Sequence, residues 1–208
     1  YDLLVPSSYT PGKAAPLVFN FHGFTVDPET QDWLSGMSRL AEEAGFILAA
    51  PKGSGNEEVL GWNAGECCGQ AASENVDDVA FTSDMIDRSS AEYCVDSSRI
   101  YATGISNGAF MSYRLACELA GRIAAIGPVA GVTVVDPCLP SRPVPIISFN
   151  GTADLLVWYD GSIYESVPRT IARWSMRNGC SRETEMVYKR GNVRGGTSSG
   201  CKGGATGE

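Results

Sequence analysis

With 208 residues, 43% of them apolar and 19% charged, the chain has an ordinary globular composition, enough for one domain with a sizeable core and short for two. Its formal charge of −8 argues against a nucleic-acid partner, since phosphate binding needs a basic face. No apolar run approaches the roughly 18 residues of a membrane span, no basic amphipathic stretch suits a membrane surface, and the N-terminus lacks the pattern of a signal peptide.

Charge and cysteine narrow the reading further. Residues 1–100 hold 16 acids and 5 bases, whereas the remainder hold 8 acids and 11 bases. Arg169, Arg173 and Arg177, spaced four apart beside Trp174, read as a solvated helix face. Seven cysteines point to an oxidising compartment more than a cytosolic one. The chain holds a single histidine, His22, so neither a Cys/His zinc site nor any other metal or cofactor is expected. Cys180 and Cys201 bracket a Gly/Ser-rich stretch and are the expected disulfide, a closure that stabilises by about 3 kcal/mol in the chain-entropy model. The pairing of Cys67, Cys68, Cys94, Cys117 and Cys138 stays open, and the odd total leaves at least one thiol free or bonded outside the chain.

In chain order, residues 1–5 open in strand texture, and residues 16–21 and 45–50 read as buried strands. Residues 31–44 between them are rich in helix formers. Val76, Val79, Ala80 and Ile86 recur at helical spacing after Ser73 and Asn75, both suited to capping. Residues 99–103 form a strand, followed by a helix over 107–119 that is apolar nearly all round and therefore buried. Strands over 123–129 and 144–149 precede a helix over 168–177 with Pro168 in its first turn. Residues 185–190 suit one more strand, and 191–207 read as loop. Alternating strands and helices imply a single α/β domain over 1–208: a mostly parallel central sheet covered by helices on both faces.

Gly104-Ile105-Ser106-Asn107-Gly108 is a G-x-S-x-G pentapeptide. The motif is short enough to arise by chance, and Gly196-Thr197-Ser198-Ser199-Gly200 matches it too. Only the first lies between a strand and a long helix, as a nucleophile elbow requires, so Ser106 is the candidate nucleophile and Ser198 is not. An acid is expected after a later strand, and Asp154 follows residues 144–149 through an Asn-Gly turn; Asp160 is the fallback. The loop after an early strand supplies oxyanion donors in such folds, which points to the N–H groups of Phe24 and Asn107. His22 sits at the end of that early strand and reads as a structural imidazole holding the turn. Trp62 and Trp158 are candidates for lining an aryl or sugar site.

Residues 61–69 (Gly-Trp-Asn-Ala-Gly-Glu-Cys-Cys-Gly), 74–79 (Glu-Asn-Val-Asp-Asp-Val) and 100–108 (Ile-Tyr-Ala-Thr-Gly-Ile-Ser-Asn-Gly) together resemble secreted esterases of the polyhydroxybutyrate depolymerase and feruloyl esterase group. That group is similar to carbohydrate esterase family 1, and the resemblance runs from Tyr1 to about Gly203. It implies an α/β-hydrolase, a three-layer sandwich that acts on esters, often feruloyl or acetyl groups carried by plant polysaccharide. Ser106, Asp154 and the His22-Gly23-Phe24 turn fall on the family's nucleophile, acid and oxyanion positions.

The chain departs from that pattern in one respect. The family carries its catalytic histidine on a Gly-Gly-His type loop after a further strand, and no histidine follows Asp154. Three readings stay open: a histidine past Glu208, on a C-terminal strand and helix outside this sequence; a substitute base; or a catalytically impaired or non-catalytic carbohydrate- or ester-binding module on an esterase scaffold.

Overall fold

The computed structural model describes residues 1–56, 59–181 and 184–205. Its organising element is β2 (Ala15–Phe21), in which Leu17, Phe19 and Phe21 have no exposed surface. A strand this apolar is stable only in the middle of a covered sheet. Two parallel neighbours flank it, β3 (Ile47–Ala50) and β6 (Val95–Ile105), with Phe19 opposite Ala49 on one side and Ala102 on the other. Outside β3 lies the short antiparallel β1 (Asp2–Leu4), and outside β6 the parallel β7 (Ala125–Val129), giving the order β1-β3-β2-β6-β7. Parallel bridges Ile126–Ile146 and Val129–Phe149 add the segment 146–149 beyond β7.

Strand alternation sends side chains to two faces. Leu17, Phe19, Ile47, Ile100 and Ala102 join one cluster with Met85 and Ile86 of α4 (Asp78–Glu92) and Phe110, Met111 and Tyr113 of α5 (Asn107–Glu118). Val18 and Leu48 face the other way, against Met37 and Ala41 of α2 (Met37–Ala44). The result is the three-layer α/β-hydrolase arrangement. Ten of the twelve α5 residues are buried, as its apolar circumference requires. Each fully buried Phe or Leu is worth about 1.5–3 kcal/mol, so this helix anchors the sheet.

Several local expectations need correction. The stretch 31–44, rich in helix formers, falls in two helices, α1 (Pro28–Ser35) and α2, because Gly36 takes a left-handed φ of 64° and its N–H closes on Asp32 O at 2.7 Å. Neither Ser73 nor Asn75 caps α4; Asp77 does, accepting from Ala80 N at 2.9 Å, while residues 69–73 form the separate short helix α3 (Gly69–Ser73). The stretch read as loop after 191 contains β9 (Val193–Ser198). It pairs antiparallel with β8 (Thr184–Arg190) across the two-residue Gly191-Asn192 turn. A hairpin of β4 (Ser54–Asn56) and β5 (Val59–Gly61) was not legible in the pattern.

Helix α6 (Val167–Arg177) is capped by Ser166 and buries Trp174 against Tyr113. Three of its arginines are tied down: Arg169 and Arg173 reach Glu165, and Arg177 lies over the Trp174 ring and donates to Cys138 O. The cysteines pair as Cys67–Cys68, Cys117–Cys138 and Cys180–Cys201, and Cys94 is unpaired. Cys117–Cys138 ties the end of α5 to the segment that runs toward residues 146–149.

Candidate active site

Ser106 occupies the turn between β6 and α5 at φ 54°, ψ −118°, the angles of a turn position that favours glycine. The turn is held from both sides. Ser106 N donates to Val129 O at 2.9 Å, and Ser106 O receives Phe110 N at 3.0 Å. Its glycines are sterically required, since a Cβ on Gly104 would stand 2.5 Å from Phe21 O and one on Gly108 would collide with the same carbonyl. Serine at a helix N-cap ordinarily turns its hydroxyl onto the first turn. Ser106 does not, and among the described residues its Oγ has no hydrogen-bond partner.

The loop after β2 runs past this turn. A Cβ on Gly23 would lie 3.8 Å from Ser106 Cβ, so Gly23-Phe24 borders the serine closely. Thr25 at φ 64° and the bonds Thr25 N to Leu60 O and Val26 N to Gly23 O hold the loop, while Phe24 N has no partner among the described residues. The Phe24 ring covers Gly61 and Gly69, where any side chain would strike it. Across the gap, the first-turn N–H groups of α5, beginning with Asn107, have no intrahelical acceptor by helix geometry, and the helix dipole makes that end electropositive. Unpaired N–H groups of Phe24 and Asn107 beside a free hydroxyl make a setting in which an oxyanion can form.

Asp154 follows the segment 146–149 at the carboxyl end of the sheet, the same edge that β6 delivers Ser106 to. Its Oδ1 accepts from Leu156 N at 2.8 Å and Val157 N at 2.9 Å, which fixes the carboxylate and leaves Oδ2 without a partner among the described residues. Asp160 is exposed in the turn that follows.

His22 is fully buried with both ring nitrogens engaged, Nδ1 on Gly23 O at 2.8 Å and Nε2 accepting from Gly53 N at 2.9 Å. An acceptor role at Nε2 fixes the neutral tautomer with its proton on Nδ1. Burial holds its pKa below the ordinary 6.5. This imidazole ties the loop after β2 to residue 53, with no lone pair left for Ser106.

Two tryptophans were expected near substrate, and they part company. Trp62 is fully buried; its indole N–H donates to His22 O at 3.0 Å and its ring packs edge-on against Phe21 at 5.1 Å, which makes it a core residue and removes it from the lining. Trp158 is exposed, four residues past Asp154. Ser198, in the second pentapeptide, is buried in β9 with its Oγ near Ser175 and Thr184. Among the described residues no three His, Cys, Asp or Glu side chains converge as a metal site.

Sequence reasoning missed the polar frame behind the elbow. The Asn107 side chain is buried and grips the Trp62 backbone, and the next residue, Asn63, donates its N–H to buried Asp78 at 2.7 Å. These pairs lie 45 and 15 residues apart, and no local periodicity signals them.

No family model matches the chain. Feruloyl esterase B of Piromyces equi is 35% identical over 216 residues, an alignment covering 96% of this chain and 39% of that protein. A bifunctional acetylxylan esterase/xylanase of Neocallimastix patriciarum is 30% identical over 154 residues, 74% of this chain and 21% of that protein. This chain is a homologue of the feruloyl esterases. The homologue spans well under half the length of these two relatives. An acetyl xylan esterase from Aspergillus awamori superposes with a TM-score of 0.71 at 16% identity, over 99% of this chain and 84% of that one, which shows the shared α/β-hydrolase fold. Against that fold, the feruloyl-esterase homologue carries its G-x-S-x-G serine at the strand–helix turn.

Proposed function

We propose that this chain is the esterase part of a serine carboxylic-ester hydrolase that acts on feruloyl, cinnamoyl or acetyl esters of plant polysaccharide. The observation that carries the reading is Ser106, held at a strained turn with its hydroxyl free and unpaired N–H groups on two sides. In this reading Ser106 Oγ attacks the ester carbonyl while its proton passes to a base. The Phe24 and Asn107 N–H groups take the developing oxyanion. The tetrahedral species expels the alcohol, which receives that proton, and water then cleaves the acyl-enzyme by the same route. Asp154, through its unpartnered Oδ2, orients the base. His22 is fully engaged elsewhere, so the reading assigns the base to a histidine that residues 1–208 do not include.

The same reading places the protein outside the cytosol, supported by Cys117–Cys138 and Cys180–Cys201. No described helix is long and apolar enough to cross a membrane. The test is hydrolysis of p-nitrophenyl acetate, whose leaving group needs no protonation. Turnover abolished by Ser106→Ala supports the esterase; turnover indifferent to that change overturns it in favour of a binding module.

A further inference from the structure

The β8–β9 hairpin concentrates cations that the rest of the fold does not use. Lys189, Arg190 and Arg194 stand within six residues at its tip, on either side of the Gly191-Asn192 turn. All three are exposed, and among the described residues none joins an ion pair. The arginines of α6 differ, since Glu165 holds both Arg169 and Arg173. The preceding acid of β8 is Glu185, about 13 Å back from Lys189 at the rise of a strand, and no acid follows Arg194 before Glu208.

Register makes this arrangement unfavourable within the hairpin itself. Lys189 pairs directly with Arg194 across the ladder, and Arg190 pairs with Val193. Directly opposed residues share a face with their Cβ atoms about 5 Å apart, and like charges placed so destabilise a sheet. A two-stranded ribbon has little stability to spare, and every residue of β8 is exposed. One lysine on a strand edge is enough to deter pairing with another chain, and that role needs no second cation opposite it.

The surroundings single out the tip further. The chain carries a formal charge of −8, so a polyanion is repelled by much of the surface and attracted here. Arg194 and Gly195 also form one wall of a cleft of about 1070 Å³ whose other wall includes Ser148, Asn150 and Gly151, the approach to Asp154. A polymer held at the tip therefore lies beside the sheet edge that leads to the candidate site.

We propose that the hairpin tip binds the carboxylate groups of an acidic, uronate-bearing polysaccharide, with Lys189 and Arg194 closing on one carboxylate. The proposal rests on the esterase reading for the polymer and adds the polymer's charge class, at a surface apart from Ser106. A guanidinium presents a planar fork that takes both oxygens of a carboxylate, and the neighbouring ammonium supplies a second, point-like contact. One bound anion relieves the repulsion between Lys189 and Arg194; a neutral sugar leaves it in place.

The test measures binding without turnover. The 208-residue chain is titrated calorimetrically with trigalacturonate and with neutral xylotriose, at about 20 mM and about 300 mM salt. Trigalacturonate should bind at low salt and several-fold more weakly at high salt, as contacts between exposed charges require. Lys189→Gln combined with Arg194→Gln should weaken it about tenfold, the scale of one charge-assisted pair, while Arg169→Gln leaves it unchanged. Unchanged circular dichroism spectra establish that the variants fold, and Arg190→Gln, at the turn, is an independent variant expected to bind a few-fold more weakly. Absence of trigalacturonate binding at low salt, or binding indifferent to the hairpin substitutions, overturns the proposal. So does equal binding of xylotriose through the same residues, or of an oligothymidylate of equal charge, which would reduce the tip to an unselective cation. The double variant should keep the p-nitrophenyl acetate turnover of the unaltered chain. Turnover that survives Ser106→Ala would remove the esterase reading and leave the hairpin result standing by itself.

Discussion

Asn107 holds Trp62 by both of its backbone polar groups: Oδ1 accepts from Trp62 N at 2.7 Å, and Nδ2 donates to Trp62 O at 3.0 Å. All four atoms are buried, so the side chain next to the candidate nucleophile replaces water for the segment after β5, 45 residues away. That segment in turn holds His22 O through the Trp62 indole, and thereby the start of the loop after β2. The Ser106 turn and the loop after β2 are positioned by one polar frame.

Removing that frame should be expensive. Asn107→Ala leaves a buried N–H and a buried C=O unpaired, each costing about 1–3 kcal/mol, so a loss of about 2–6 kcal/mol in urea unfolding is expected. A loss below about 1 kcal/mol would show that water reaches Trp62 and that the clamp is incidental.

Ser106 carries a backbone conformation that glycine adopts without strain. Ser106→Gly should therefore raise stability by about 1 kcal/mol while abolishing ester turnover, and Ser106→Ala should abolish turnover without that gain. Chemical denaturation of the three proteins checks this. Equal stability for the glycine and alanine variants would mean that the turn stores no strain.

The rate profile against pH follows from His22 being neutral, buried and fully engaged. Turnover of activated esters by the 208-residue chain should rise with pH without a plateau near 7, since no imidazole serves as base. Added imidazole should accelerate the Ser106-dependent part of the reaction, measured after subtraction of the Ser106→Ala background. A bell or plateau near neutrality that His22→Ala removes would make His22 the base after all.

Asp78 is buried with its carboxylate on Asn63 N, and desolvation pushes its pKa up from 3.8 to about 6, with Arg114 opposing and Asp77 assisting. A folded pKa above the unfolded one means that the native state binds the proton more tightly. The stabilisation this provides is complete below pH 3.8 and is lost as pH rises through 6, by an amount on the order of 2–3 kcal/mol. His22 works the other way: its depressed pKa favours the native state above 6.5 and costs stability as pH falls below that value. Asp78→Asn keeps an oxygen for Asn63 N and removes the Asp78 titration. Its stability relative to the wild type should therefore increase between pH 4 and pH 7 in parallel denaturation series. A constant difference across that range would show that Asp78 does not titrate there.

Much of the layout was legible because it is local. The strand at β2 and the buried helix α5 announce themselves through which side chains shun water along a few consecutive turns, and Ser106 stood out because its pentapeptide joins a strand to a helix. Gly36 was a lone glycine among helix formers until its left-handed φ divided the helix in two. Other features depended on what lies opposite a residue, which periodicity within one segment does not encode. Trp62 has the composition of a sugar platform, and only the packing of Phe21 and His22 around it makes it core. Cys117 finds Cys138, and Asn107 finds Trp62, because the crossovers bring segments distant in sequence together at the two ends of α5. The amino-acid sequence by itself determined the alternation of strands and helices and the serine at the elbow, since both follow from local propensity and steric need. Tertiary structure decided that His22 is a neutral strut, that Asp78 and Asn107 brace the elbow, and that Trp158, unlike Trp62, faces solvent. Burial and hydrogen-bond partners are properties of the assembled layers, and no segment carries them before the sheet forms.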